Sequence, residues 1–499
     1  MRQRSGLPVL TIVFLCAAAE MLSIGAQEIL PVSEPVGLGV PGPFGGQIQV
    51  TQQHVRADLN VVSGEQVLDA LPRKGISTSS PLTTGHIGSS KSGSGCGDGC
   101  GVECGESCCY TQTSAACIEC PHVTTLSPYF NLRIFGSLNA EMLFAESRPL
   151  LPSGVVLISP NLGKDTRTFE AHAKSTNFGV AFQGPKIGQF QSSGTFLSYL
   201  YGEQFQADRY GPYIVRAFGQ LKSKHLSFAA GLQGDLINPL SPTTLNFNAG
   251  NLAGNLGFLR GQLRAEYRKQ IARDTQLTTQ VALSDPTPTS FADFDRPPLN
   301  LLEDNGWPNL EARVALGIGP QQGRPDAPNR PLELGVSGLV GELRRTDVPT
   351  VPNHIIDVWA FGFDGSIAIS DTMGVKGELF TGQGIGNYNA GILQVDNDVF
   401  NPVRSTGGWA ELYYHWSPCL HSHVGYCVDD PLDRTVVEGM TAARPIRNQL
   451  IFANLIWDVS ASLEIGFEVS HWETDYANIT PVDISNDSMV YHTRVRLKF

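Results

Sequence analysis

The sequence predicts an all-β protein: a transmembrane antiparallel β-barrel of about 16 strands, with a largely irregular, Cys-rich N-terminal extension. Three observations favour this fold class. Apolar and polar residues alternate with a period of two from Tyr129 onward, which is the period of strands. The apolar faces are almost free of charge over lengths near the ~9–11 residues that cross a bilayer. The connections alternate between short and long, as the turns and outer loops of transmembrane barrels do.

Length and composition leave two architectures open. A chain of 499 residues can form two or three soluble domains, or one large barrel with an extension. The mean hydropathy of −0.07 suits both, because alternating strands average to near-neutral values. No apolar run beyond the extreme N-terminus is long enough for a transmembrane helix. The net charge of −12 argues against a nucleic-acid binder.

Residues 1–26 have the features of a secretory signal peptide. Arg2 and Arg4 supply its positive region, and Leu7–Ala19 supplies its apolar core. Small residues follow, and cleavage is expected after Ala19 or after Ala26. Export places the chain in an oxidising compartment, where cysteines can pair.

Residues 27–127 form a Gly-, Pro- and Ser-rich segment that we assign to a periplasmic extension. Seven cysteines fall between Cys96 and Cys120. Clustered thiolates bind zinc, but this spacing is not the paired pattern of a zinc ribbon. A disulfide-stapled linker suits an exported protein, and the odd number leaves one thiol for an intermolecular bond. The prediction is therefore no metal and no cofactor.

Residues 128–499 carry the barrel pattern. The last strand, Met489–Phe499, divides into an apolar face and a charged face, and other segments follow the same rule. About fifteen strands are clear, and a weak strand at Asn387–Asp396 restores the even number usual in bacterial barrels. This count places Ser417–Arg444 outside the membrane and the tight turn Asp458–Ser462 on the periplasmic side. A barrel of about 16 strands leaves an aqueous channel.

Charges that face the lumen would select the solutes of such a channel. The inward faces of three predicted strands are basic, and guanidinium groups suit carboxylates and phosphates. We therefore expect small anionic solutes. Inward acids such as Glu141, Glu311, Glu464 and Glu468 would form an opposing wall and so a transverse electric field. The alternative is that the arginines pair with lumen acids and only hold the wall together. The predicted pore-lining residues are Arg216, Lys222, Arg260, Arg264, Arg268, Glu311, Arg313, Arg494 and Arg496.

Two predicted outer loops carry further expectations. Asn238–Leu256 is long and rich in Asn and Leu, and is the best candidate for a loop that folds inward and narrows the channel. The alternative is an ordinary outer loop. Cys419 and Cys427 lie eight residues apart in the second loop, which predicts a local disulfide. Three histidines lie near this pair, but histidine is common in exposed loops, so a metal site is the less favoured interpretation.

The succession of motifs resembles the DcaP-like outer-membrane porins. The similar pieces are Thr176–Gly188 (TNFGVAFQGPKIG), GLQGDLINP followed by TLNF, FLRGQLRAEYR, Gly425–Pro431 (GYCVDDP) and, most similar, Arg447–Tyr476. The resemblance covers about residues 129–499. It implies a sixteen-stranded homotrimer that passes small, often anionic, organic solutes, with a coiled-coil periplasmic extension. Residues 27–127 depart from this pattern, since they show no heptads. Phe499 resembles the C-terminal aromatic signal that such barrels present to the barrel assembly machinery.

We therefore predict a porin of the cell outer membrane, surrounded by outer-membrane lipids, through which small hydrophilic, anionic solutes diffuse. Two alternatives stay open. A structural or adhesive barrel would bind a partner through the Cys-rich segment. A barrel enzyme would need a Ser–His or Asp–His pair at the barrel rim. No spacing in the sequence singles out such a pair, so no catalytic residue is predicted.

Overall fold

The computed structural model describes the barrel and one short strand before it. The described residues are 123–127, 130–151, 153–160, 166–201, 211–237, 239–286, 307–320, 330–345, 354–397, 399–437, 444–477 and 484–499. The predicted signal peptide and the seven clustered cysteines lie outside them. Among the described residues, no helix is long and apolar enough to cross a membrane.

One antiparallel sheet of 18 strands contains nearly all the regular structure of these residues. The strands are β1 Val123–Ser127, β2 Phe130–Ala145, β3 Thr168–His172, β4 Asn177–Ile187, β5 Phe190–Tyr199, β6 Tyr213–Lys222, β7 Leu226–Gly234, β8 Leu259–Ala272, β9 Thr275–Ser284, β10 Asn309–Ile318, β11 Leu332–Arg345, β12 His354–Ala368, β13 Met373–Gln383, β14 Arg404–Ser417, β15 Leu420–Pro431, β16 Arg444–Asp458, β17 Leu463–Ala477 and β18 Ile484–Lys498. A one-turn helix, α1, spans Asp433–Val436.

The sheet closes on itself through β2. One edge of β2 pairs with the last strand, β18, from Ala145 opposite Val490 to Ser137 opposite Lys498. The other edge pairs with β3 and then with β4, which together form one strand interrupted at residues 173–176. Since β1 only adds a short pairing at the end of β2, the wall of the barrel has sixteen strands. The prediction of a closed barrel of this size is confirmed.

Two errors cancelled in the predicted strand count. Asn387–Asp396 is not a strand, because the chain there forms two short 3-10 helices, Ile385–Tyr388 and Gly391–Leu393. Ser417–Arg444 is not one long outer loop, because it contains β15, which pairs with β14 and β16 along its length. The direction of β14 was therefore predicted wrongly, but that of β16, β17 and β18 correctly, and the turn between β16 and β17 lies at the expected end of the barrel.

The outward face of the wall is a belt of exposed apolar side chains without charges at its centre. Met142, Leu263 and Phe361 are 58%, 63% and 55% exposed. Comparable side chains follow on the outward face of the other long strands. Soluble monomers rarely expose apolar side chains on one face of strand after strand, because their largest apolar patches are roughly 300–600 Å². The belt therefore faces lipid, as in transmembrane barrels.

The two ends of the barrel differ in the length of their connections. Strands β4 and β5, β8 and β9, and β14 and β15 are joined by two-residue turns at one end. Transmembrane barrels place short turns in the periplasm, and we name this the periplasmic end. The exposed indoles of Trp416 and Trp457 lie at this end of β14 and β16, where an aromatic girdle is expected. The connections at the other end are named L1 to L8 in chain order. Those used below are L1 (146–167), L3 (235–258) and L6 (384–403).

Candidate functional site in the barrel lumen

L3 folds into the barrel, as predicted for Asn238–Leu256. The side chains of Leu236, Ile237, Leu245 and Leu252 are at most 2% exposed, which an outer loop would not achieve. L3 reaches from β7 across the inside of the barrel to β17. Because it begins after β7 and ends before β8, it returns to its starting side after it has contacted β10, β13, β14 and β17.

Four glutamates of the barrel wall hold L3 in place. Each accepts a hydrogen bond from a backbone N–H of the loop, so that the buried amides of the loop and the buried carboxylates of the wall provide each other's hydrogen-bond partners. The donor–acceptor pairs are Leu236 to Glu311 (2.7 Å), Leu240 to Glu378 (2.6 Å), Thr243 to Glu411 (2.5 Å) and Leu245 to Glu468 (2.7 Å). These acids come from β10, β13, β14 and β17. They are at most 2% exposed, so they anchor the loop and do not contact the solvent of the lumen.

L1 and L6 pack against L3 inside the barrel. Asn246 and Asn248 of L3 donate side-chain hydrogen bonds to the L1 carbonyls of Val155 and Gly154. Gly257 of L3 donates to the L6 carbonyl of Tyr388 over 2.7 Å. Burial raises the pKa of the Tyr388 hydroxyl, which stays protonated while it accepts the side-chain amide of Asn309. The three loops therefore form one packed body.

Arg260 connects L3 to L6 within this packed body. The prediction that it lines an open channel is wrong. Its guanidinium has no exposed surface. It forms a bidentate ion pair with Asp235 of L3 (2.6 and 3.2 Å) and donates to the Asn387 carbonyl of L6 (2.9 Å). Its carbon Cζ lies 3.7 Å from the centre of the Tyr388 ring. Glu311 is also fully buried, under the first turn of L3, so the same correction applies to it.

Four more predicted arginines are paired with carboxylates, as the structural alternative proposed. Arg313 forms a bidentate pair with Asp364 (2.5 and 3.0 Å) and is 7% exposed. Arg268 lies 2.7 Å from Glu266. Arg494 and Arg496 lie 3.0 and 3.4 Å from Glu464. All of them face inward, as predicted, but their charges are largely compensated within the wall.

Three predicted cations face the lumen without such a partner. Among the described residues, no carboxylate forms an ion pair with Arg216, Lys222 or Arg264. Arg216 and Lys222 are exposed to the lumen. Arg264 is half-buried below L3, where it donates to the Gly234 carbonyl and to the Gln262 side chain (2.7 Å). Guanidinium and ammonium groups in this state can contact an anion directly.

The predicted wall of opposing acids does not face solvent. Glu141, Glu464 and Glu468 are 2%, 6% and 2% exposed. Glu141 accepts the Ser175 hydroxyl and lies 3.4 Å from His492. The expectation that these acids contribute one side of a transverse field is therefore wrong, because hydrogen bonds and ion pairs within the wall occupy them. The sequence indicates their inward direction and a loop that folds inward, but not which inward acids are buried in the folded barrel.

The predicted Cys419–Cys427 disulfide is also wrong. Cys427 is a free thiol on β15 and is fully buried against L3. Cys419 lies in the periplasmic turn between β14 and β15 and is disulfide-bonded. The prediction placed both cysteines in one outer loop, whereas the seven residues between them, 420–426, belong to an extended strand that holds them apart. No group of three or more His, Cys, Asp or Glu side chains among the described residues has an arrangement that could hold a metal ion.

One functional candidate was missed. Lys186 on β4 pairs with Gln191 of β5, which in turn pairs with Lys222 of β6, so both lysines share the inward face. Lys186 is exposed. The Gly-Pro before it bends β4 into a bulge and obscures the alternation from which its direction would be deduced.

The same fold occurs in outer-membrane proteins of known structure. The outer membrane channel DcaP of Acinetobacter baumannii matches with a TM-score of 0.57 and 16% identity, over 74% of this chain and 98% of that chain. An anion-selective porin from Comamonas acidovorans matches with a TM-score of 0.48 and 10% identity, over 74% of this chain and all (100%) of that chain. OmpF of Salmonella typhi, in complex with daunomycin, matches with a TM-score of 0.46 and 11% identity, over 74% and 98%.

No protein-family model matches the chain, and no curated protein matches its sequence. The match to DcaP therefore shows a likeness of fold. The resemblance found in the sequence is confirmed at that level.

Proposed function

We propose that this protein is a porin of the outer membrane, through which small hydrophilic solutes diffuse. One observation carries the proposal: a closed barrel has an uncharged apolar belt outside and polar, solvent-reached side chains inside. A wall of this kind separates lipid from water and leaves a path for polar solutes. The likeness of fold to an outer membrane channel agrees with it. A channel needs no nucleophile, and the proposal includes no catalytic residue.

We further propose that the channel prefers anions. Arg216, Lys222 and Arg264 face the lumen without carboxylate partners among the described residues, and Lys186 joins them at the periplasmic end. The acids of the opposite wall are buried beneath L3 or paired. The accessible lumen is therefore positive, although the chain has a net charge of −12. A charged, water-filled constriction raises the local concentration of ions of the opposite sign.

Three parts of the proposal concern biogenesis and assembly. Residues 1–26 direct export and are removed, and residues 27–127 remain as the periplasmic extension. Phe499 serves as the C-terminal signal for the barrel assembly machinery. Its backbone pairs with Gly136 to close the barrel, and its ring points outward with 56% exposure. The sequence resemblance implies a homotrimer, which native mass spectrometry of the detergent-extracted protein would test.

Planar-bilayer recording tests the proposed function. The full chain, extracted in the folded state, should produce stepwise increases in current when added to the bilayer. Folding is checked on the same sample by the heat-dependent shift of the band in gel electrophoresis. A folded barrel that gives no current would overturn the channel and favour the structural or adhesive alternative. A structural barrel would in that case lose its surface partner when its thiols are reduced.

A further inference from the structure

Cys419 forms a disulfide whose partner lies outside the described residues. The described residues contain two cysteines, Cys419 and Cys427. Cys427 is a free thiol, whereas Cys419 is disulfide-bonded. The other cysteines of the chain are Cys16 and the seven from Cys96 to Cys120. Since Cys16 lies in the predicted signal peptide, the Cys-rich segment is the source of a partner in the exported protein.

The number of cysteines in that segment supports the same pairing. Seven thiols cannot all pair among themselves, so one of them stays free or bonds elsewhere. Cys427 does not accept it, because this thiol is free and has no exposed surface. A bond to Cys419 leaves an even number of cysteines in the segment, and these can pair with one another.

The side chain of Cys419 is covered, unlike the residues of the corresponding turns. It is 8% exposed, although it lies in a two-residue turn at the periplasmic end. Gly188 and Gln189 between β4 and β5 are exposed, and so are Arg273 and Asp274 between β8 and β9. A turn residue at the mouth of a barrel meets solvent unless another segment lies against it. The burial of Cys419 therefore agrees with a bonded partner at this turn.

The extension joins the barrel at the same end. Strand β1 begins at Val123, which pairs with Arg133 near the periplasmic end of β2. From β2 the wall continues through β18, β17 and β16 to β15, which follows the Cys419 turn. Strands about 4.8 Å apart and tilted by roughly 40° place this turn about 25 Å along the rim. Cys109 precedes Val123 by 14 residues, and an extended chain of that length spans roughly 45 Å. The segment is therefore long enough to reach Cys419.

We propose that one cysteine of the segment Cys96–Cys120 forms a disulfide with Cys419 and so fixes the N-terminal extension to the periplasmic mouth of the barrel. The bond joins the two sides of the barrel closure, since β1 pairs with β2 and Cys419 lies beyond β18. The inference goes beyond the proposed channel function and is independent of it, because a barrel that passes no solute can carry the same bond.

The bond forms by thiol–disulfide exchange with the disulfide of a thiol oxidase in the oxidising periplasm. A thiolate of the extension attacks that disulfide and forms a mixed disulfide with the oxidase. The Cys419 thiolate then attacks the sulfur of the extension cysteine and expels the oxidase. The two cysteines lose two protons and two electrons, and the oxidase leaves as a dithiol.

Peptide mapping of the unsubstituted protein tests the bond. The full exported chain is extracted from membranes, its free thiols are blocked with N-ethylmaleimide, and it is digested with trypsin without reduction. Trypsin releases residues 92–133, which contain the seven clustered cysteines, and residues 405–434, which contain Cys419 and Cys427. We expect these two peptides as one linked mass that reduction separates. A second protease that cuts after glutamate identifies the cysteine of the segment that is bonded.

Two variants assign the bond to Cys419. Cys427→Ser should keep the linked mass and Cys419→Ser should lose it. Denatured without reduction and in the presence of EDTA, the unsubstituted protein should react with one equivalent of maleimide, at Cys427. Cys419→Ser should react with two equivalents, because a cysteine of the segment loses its partner, and Cys427→Ser with none. Both variants are first checked for folding by the heat-dependent band shift.

Several results would overturn the proposal. Residues 405–434 linked to a second copy of themselves would show a bond between two chains. Cys419 blocked by N-ethylmaleimide in the unsubstituted protein would show that it is free. Thiols of the segment that react in larger number once EDTA is added would show bound metal in place of disulfides. The first two results come from the unsubstituted chain, so they decide the matter even where Cys419→Ser does not fold.

Discussion

Replacing Arg260 by Met should release L3 and L6 from the lumen. Arg260→Met removes the bidentate pair with Asp235 and the bond to the Asn387 carbonyl, and leaves a buried carboxylate without its cation. Loss of one partner of a buried ion pair costs about 3–5 kcal/mol. Since each 1.4 kcal/mol is tenfold, the ratio of docked to released loops should fall roughly a hundred- to several-thousandfold.

Chymotrypsin measures the release. L3 and L6 contain Phe247 and Tyr388, which are packed inside the barrel in the native protein. Added outside proteoliposomes, the protease should cut the Arg260→Met variant at these loops and spare the unsubstituted chain. Released loops should also raise single-channel conductance. Burial raises the pKa of Asp235, and its protonation removes the unpaired charge from the docked state. Cleavage, divided at each pH by the rate at which chymotrypsin cuts the unfolded chain, should therefore decrease as the pH falls from 8 to 5.

The double variant Asp235→Asn/Arg260→Met is the matched control. It keeps an acceptor for the Phe258 N–H, which Asp235 provides at 2.8 Å, but buries no charge. It should therefore regain most of the protection. An Arg260→Met variant as resistant as the unsubstituted chain, or a double variant as sensitive as the single one, would refute the role assigned to this junction.

Three further predictions concern the position of L3, the lipid belt and barrel closure. A Cβ on Gly250 would lie 3.3 Å from the Cys427 sulfur, so Gly250→Cys should form a disulfide with Cys427 that peptide mass spectrometry detects after oxidation. The backbone of Gly250 is left-handed (φ 75°), so Gly250→Ala is the control for strain, and absence of the disulfide while Gly250→Ala resists chymotrypsin like the unsubstituted chain would contradict the position of L3. Val314→Arg puts a charge in the lipid-facing belt and should lower the free energy of unfolding by about 2–4 kcal/mol, measured by urea titration in lipid vesicles. Thr195→Arg, on the inward face, should change that free energy little. Equal costs would contradict the assignment of the two faces. A Cβ on Gly136 would overlap the Asn177 carbonyl and lie 2.8 Å from the Phe499 ring. Gly136→Val should therefore reduce the fraction of protein that runs as the folded, heat-sensitive band in gel electrophoresis. Normal folding of this variant would contradict closure of the barrel at this site.

The sequence predicts the wall of the barrel well because the wall follows a local rule. On β8, Arg260, Arg264 and Arg268 all face inward, as the period of two requires. Strand β15 was missed because its inward face carries Gly425 and Cys427 against a dry cluster, so the contrast between the two faces is lost. The alternation of polar and apolar residues marks a strand only where its two faces differ in polarity.

The loops inside the barrel follow no such rule. All six non-glycine residues with positive φ in the described chain lie in L3 and L6, and one of them is the β-branched Ile392 at 48°. Local preference disfavours this conformation, so tertiary contacts impose it. For the same reason, the sequence does not reveal which lumen arginines L3 covers. A usable signal was Asp235, the one charged residue of the loop, placed directly after β7.

The reversal potential under a KCl gradient tests the central claim most directly, on the unsubstituted chain and on Arg216→Gln/Arg264→Gln. The account predicts a reversal potential of the sign given by an anion-preferring channel. This potential should move toward zero in the variant. It should be unchanged in the control Lys269→Gln/Arg344→Gln, which removes two positive charges from the outward face of the barrel. A cation-preferring channel, or an anion preference that the loss of both lumen arginines leaves intact, would contradict it.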